Sequence, residues 1–148
     1  MFELLPGTGL ALPRGAGVLR FGMPEREAQW AVATLADVRE TWICQAGWAF
    51  AARYEGLDLL VYGDCADRSG RDAHDRAGLD AVHLSRAEPG PTGPSAVPVV
   101  LRGIDVFGYP AAEVRDALGD DPHATVRLTP PGSPGYLASA HLSSGPRR

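Results

Sequence analysis

The chain has 148 residues, 45% of them hydrophobic and 22% charged, which allows one packed core and argues against global disorder. Its formal net charge of −4 speaks against a dedicated nucleic-acid binder, because neutralising phosphates needs a basic face. It contains no Lys and no Asn, and all fourteen basic residues are Arg, so Schiff-base, phosphate-loop-lysine and Ser–Lys chemistry are excluded.

The bias toward Arg, Ala, Gly and Pro is that of a high-GC bacterial genome such as an actinomycete's. The opening MFELLPGTGLALPRG has neither a basic leader nor an apolar run, and no stretch approaches a membrane span. The expectation is a cytoplasmic protein with no membrane role, in which Cys44 and Cys65 are reduced thiols.

In chain order, residues 2–5 predict a short strand and the Gly/Pro-rich stretch 6–17 a loop. Pro24 suits a helix start, Glu25 and Glu27 favour its positive end, and Ala28, Ala31, Val32 and Leu35 share one face, so a helix is expected over 24–36. Residues 47–63 predict a hairpin turning near Glu55–Gly56. The polar run 64–78 has no apolar period and reads as a mobile loop. A strand follows over 79–86, then a linker over 88–96 and a strand-like stretch over 97–108. Pro110 opens a second, short helix, with Val114, Ala117 and Leu118 on one face and Gly119 as its stop. Residues 124–130 and 136–143 read as a last hairpin, and the final Ser-Ser-Gly-Pro-Arg-Arg as a frayed end.

The most specific pattern is a repeat. Phe21-Gly22-Met23-Pro24-Glu25-Arg26-Glu27-Ala28 matches Phe107-Gly108-Tyr109-Pro110-Ala111-Ala112-Glu113-Val114, eighty-six positions later. Each copy reads as a strand end, a turn at Gly, and a Pro fixing a helix start, with an acid near its free N–H groups. The expectation is a single α+β domain over 1–148, with two helix-plus-antiparallel-hairpin repeats packed as helices on one sheet. Repeat one would span about 17–87, the linker 88–96 and repeat two about 97–142.

Gly22-Met23, Glu27 and the hairpin Tyr54-Glu55-Gly56-Leu57-Asp58-Leu59, with Gly108 and Glu113-Val114, resemble the tandem-repeat fold of the beta-lactamase inhibitory protein family, which the outer-membrane assembly lipoproteins share. The resemblance spans most of 17–142 and rests on short motifs. Pro24 and Pro110 stand where that family has a helix-capping Thr, and the export signal of those relatives is absent. The resemblance implies protein binding as the general role, with no particular target or contact residue.

Four candidate sites stand out. Asp64, Asp67, Asp72, Asp75 and Asp80, with His74, offer oxygen ligands, but the spacing is not a calcium loop and Arg68, Arg71 and Arg76 balance the charge. Cys65, His74 and His83 lack the pair spacings of a structural zinc site, so no metal or cofactor is expected, with Asp64, Cys65 and His74 the weak candidates. Cys65 beside His74 or His83 has no nucleophile signature, no Gly-x-Ser-x-Gly elbow occurs, and Cys44 sits among apolar neighbours like a core residue, so no catalytic residue is assigned. Trp30 falls opposite the apolar helix face, beside Arg26. It reads either as packing against another segment or as an anchor for a partner. Trp42, Trp48, Phe50, Tyr54 and Tyr62 read as the sheet's core, with some lining its open face.

The functional expectation is a non-catalytic protein-binding module of inhibitor, immunity or adaptor type. Trp30, Arg26, Trp48 and Tyr54 are its candidate binding residues. The alternatives are a small-ligand binder or enzyme using residues 64–83, and the structural subunit of a homodimer or larger oligomer.

Overall fold

The computed structural model describes residues 1–65, 78–87, 91–119, 126–129 and 135–144. It is an α+β structure dominated by strands, which form two sheets where one was expected. The first sheet begins with β1 (Phe2–Leu5), β2 (Gly9–Ala11) and β3 (Val18–Arg20), an antiparallel meander. It is completed by β8 (Val99–Leu101), which lies parallel to β1, and β9 (Ile104–Asp105). Two expectations change here. The stretch expected to be a loop contains β2, because Gly9 lets the chain return against β3: a Cβ there would meet the Leu19 carbonyl oxygen at 1.7 Å. The stretch 97–108 is broken by a turn at Arg102 (φ 52°) and Gly103 (φ 81°), which folds it into a short hairpin.

The second sheet is wholly antiparallel. Across it lie β10 (Val126–Thr129), β11 (Ser139–Ser143), β7 (Leu79–Arg86), β6 (Leu57–Gly63), β5 (Trp48–Tyr54) and β4 (Arg39–Thr41). The β5–β6 hairpin turns at Glu55 (φ 45°) and Gly56 (φ 86°), as its sequence implied. A bulge where Tyr62 faces Ala81 and Gly63 faces Leu79 leaves Asp80 as the extra residue.

Helix α1 (Glu25–Ala33) is shorter than expected, and α2 (Ala111–Leu118) stops at Gly119, whose φ is +69°. Each proline occupies the N-cap in an extended conformation rather than the first helical turn. The helices bury narrow stripes, Ala28 with Val32 and Ala111 with Val114; Ala117 is exposed. Among the described residues, four strands of the second sheet follow α1 and two follow α2. The motif glycines also differ. Gly22 has φ +89°, whereas Gly108 is small because a Cβ there would lie 2.4 Å from the Asp105 carboxylate.

One hydrophobic core joins both sheets and both helices, with Phe2, Leu10, Leu19, Val32, Phe50, Leu59, Val82, Phe107, Val114 and Leu142 among its members. The sheets meet at a backbone junction. The Gly22 N–H donates to the Leu79 carbonyl and the Leu79 N–H to the Met23 carbonyl, both at 2.9 Å. Gly78 lies so close to Gly22 that a side chain would collide with its backbone.

Alternation along the strands then gives the second sheet two distinct faces. Leu57, Leu59, Val61, Val82, Leu84, Ala140 and Leu142 point into the core. Ala49, Ala51, Leu60, Tyr62, Ala81, His83 and His141 occupy the opposite face and none belongs to that core cluster, although Ala49 and Ala81 are buried.

Candidate functional site

Trp30 and Trp42 are the two most exposed large hydrophobic residues among those described, 77% and 78% accessible. Trp30 projects from α1 on the side away from buried Ala28 and Val32, with exposed Arg26 one turn before it on the same helix face. Trp42 directly follows β4, one of the sheet's two edge strands, all three of whose residues are exposed. This corrects the expectation that Trp42 is core: the edge strand carries its side chain past the packed interior. Cys44, two residues on, is likewise exposed rather than buried.

Trp48 and Tyr54 are held by packing instead. Trp48 stacks on Phe50 with ring centres 5.9 Å apart. Tyr54 meets Phe2 edge-on at 5.8 Å across the two sheets, while the Arg14 guanidinium lies 5.8 Å from its ring centre. Tyr54 therefore links the two sheets, Trp48 packs within the second, and both are partly buried where Trp30 is exposed. Beside Tyr54 lies an open cleft of about 700 Å³, with Arg14, Asp37, Arg39, Arg53 and Glu55 on its walls. Its charges are largely matched: Arg14 reaches Glu55 at 3.4 Å and Arg53 reaches Asp58 at 2.8 Å.

The polar segment is described only at its base; His74 lies outside the described residues, as do Asp67, Asp72 and Asp75. At that base the carboxylates serve the backbone. Asp64 accepts the Gly78 N–H and Asp80 accepts the Cys65 N–H at 2.9 Å. Among the described residues no group of three or more His, Cys, Asp or Glu could hold a metal ion.

A second cluster, which sequence reasoning missed, lies on the second sheet's outer face. His83 on β7 faces His141 on β11 in register, with ring centres 5.6 Å apart. Arg127 on β10 is in register with His141, and the Tyr62 ring is 6.3 Å from it. Burial pushes both imidazole pKa values below the usual 6.5, and His141 is lowered further by the neighbouring His83 and Arg127. The Tyr62 hydroxyl is pushed up, mainly by burial. The two imidazoles and the Tyr62 ring are half-buried and lie outside the hydrophobic core cluster. Only the alternation of His83 with Val82 and Leu84 hinted at this face; its pairing with His141 is a product of the topology.

Comparison with protein-family models, with curated proteins and with solved structures finds no match to the chain. No described helix is long and apolar enough to cross a membrane.

Proposed function

We propose that the chain is a non-catalytic protein-recognition module of inhibitor, immunity or adaptor type, acting in the cytoplasm. The observation that carries this reading is the exposure of Trp30 and Trp42. An exposed Trp offers a large apolar area at little conformational cost, and with Arg it is the residue type enriched at binding hot spots. Arg26 supplies such a neighbour to Trp30.

The ligand or enzyme reading draws less support, because Asp64 and Asp80 are engaged with backbone N–H groups. We also read the chain as a duplication related to the tandem-repeat inhibitor fold. In each half, a first-sheet strand leads through Phe-Gly-x-Pro into a helix and then into antiparallel strands of the second sheet.

The test is Trp30→Ala, followed by a thermal melt and by capture from the native host's extract. A polypeptide held by the unaltered chain and lost with Trp30→Ala, at an unchanged melt, supports recognition through α1. Identical capture profiles for the two proteins count against it. Sedimentation of the same samples separates a hetero-partner from self-association through Trp30.

A further inference from the structure

The outer face of the six-stranded sheet carries more positive charge than the chain as a whole. By register its residues include Arg39, Arg53 and Arg127 against one acid, Asp58, and Asp58 is already bound to Arg53. The complete chain has net charge −4. From the β10 edge of this face inward, Arg127, His141, His83 and Tyr62 bring a guanidinium, two imidazoles and a phenol together from β10, β11, β7 and β6. His83 and His141 make no hydrogen bond among the described residues, and Arg127 makes no ion pair there. The acid that acts on Tyr62 is Asp80, which is buried and accepts the Cys65 N–H. The cluster thus has no acid paired with it among the described residues.

We propose that Arg127, His141, His83 and Tyr62 form a carboxylate-recognition cluster on the β10 side of this face, and that it receives an Asp or Glu side chain of a protein partner. The proposal rests on the protein-recognition reading above and adds the partner's chemistry. Arg127 supplies the charge-assisted hydrogen bonds, which are the stronger kind, and the imidazole N–H groups and the Tyr62 hydroxyl complete the set around the carboxylate oxygens. A metal ion fits less well, since among the described residues the two imidazoles have no third His, Cys, Asp or Glu ligand and Arg127 adds like charge beside them. A second copy fits less well too, because the chain's overall negative charge gives it no excess of attraction for itself.

The arrangement dictates a pH dependence. The free imidazoles are neutral at pH 7, and each resists a proton because of its burial; His141 is also held down by His83 and Arg127. Asp58 is paired with Arg53 and Asp80 with the backbone, so neither relieves this repulsion. A docked carboxylate does, so binding takes up a proton and tightens as pH falls from 8 to 6.

The probe is acetylated hexaglutamate amide, with hexaglutamine as the neutral control, titrated while the imidazole Cε1–H signals of His83 and His141 are followed by NMR. Saturable shifts of both signals with the Glu peptide alone are expected, tightening at pH 6. Arg127→Gln, checked by a thermal melt, weakens binding about tenfold, whereas Arg115→Gln at an exposed position of α2 leaves it unchanged. Absence of a shift, an equal effect of hexaglutamine, or unaltered affinity in Arg127→Gln overturns the proposal. Any of these with Trp30-dependent capture intact leaves protein recognition standing and removes only the acidic chemistry of the partner.

Discussion

Gly78→Ala is expected to break the junction between the sheets, and Gly22→Ala to strain it far less. Both glycines have positive φ, +99° and +89°, so either alanine carries a conformational cost of about 1–2 kcal/mol. Only at position 78 does the new Cβ have no room. It would lie 2.2 Å from the Gly22 carbonyl oxygen and 2.3 Å from the Gly22 carbonyl carbon, whereas a Cβ on Gly22 meets nothing within 4 Å. The neighbour is backbone and cannot swing aside, so the strands must separate. That strains the Gly22–Leu79 and Leu79–Met23 hydrogen bonds, each worth about 1 kcal/mol. Gly78→Ala should therefore cost about 3–4 kcal/mol, a large part of the stability of a domain this size. Urea unfolding followed by circular dichroism measures both variants. At a slope of about 2 kcal/mol per molar, the midpoint for Gly78→Ala falls by about 1.5–2 M. A loss no larger than that of Gly22→Ala would show that the junction does not hold the sheets together.

Phe107→Ala removes a fully buried ring and should cost about 3–5 kcal/mol, while Trp30→Ala and Trp42→Ala should each change stability by no more than about 0.5 kcal/mol; thermal melts check all three. Stability should also fall on acidification through the imidazole range. His83 and His141 have folded-state pKa values below 6.5, so below that pH the unfolded chain binds more protons and stability declines toward the folded-state values. Replacing both with Gln should flatten this acid limb in melts between pH 7.5 and 5, and an unchanged limb would assign it to other groups.

The elements legible in the sequence are those encoded locally. Phe2–Leu5, the Trp48–Gly63 hairpin with its Glu55–Gly56 turn, and the two proline-led helices each carry their own period and punctuation. Helical phase also separated Trp30 from Ala28 and Val32. What escaped depends on distant partners. Gly9–Ala11 becomes a strand because β1 and β3 flank it, and Arg102–Gly103 makes a turn without the Asn or Asp that announces one. The division into two sheets follows from Phe2–Leu4 pairing in parallel with Val99–Leu101, a contact no local pattern announces. Cys44 looked like core by its apolar neighbours and Trp42 like part of the sheet's core, yet both follow an edge strand and are exposed. The His83–His141 pair is invisible until β7 and β11 are placed side by side.

Photo-crosslinking tests the recognition reading most directly. A benzophenone amino acid replaces Trp30 or Trp42 in the native host, with Ala112, exposed on α2, as the control position. The account predicts that irradiation joins positions 30 and 42 to the same partner polypeptide while position 112 gives no such adduct. Adducts of equal yield from all three positions, or none from 30 and 42, would contradict it.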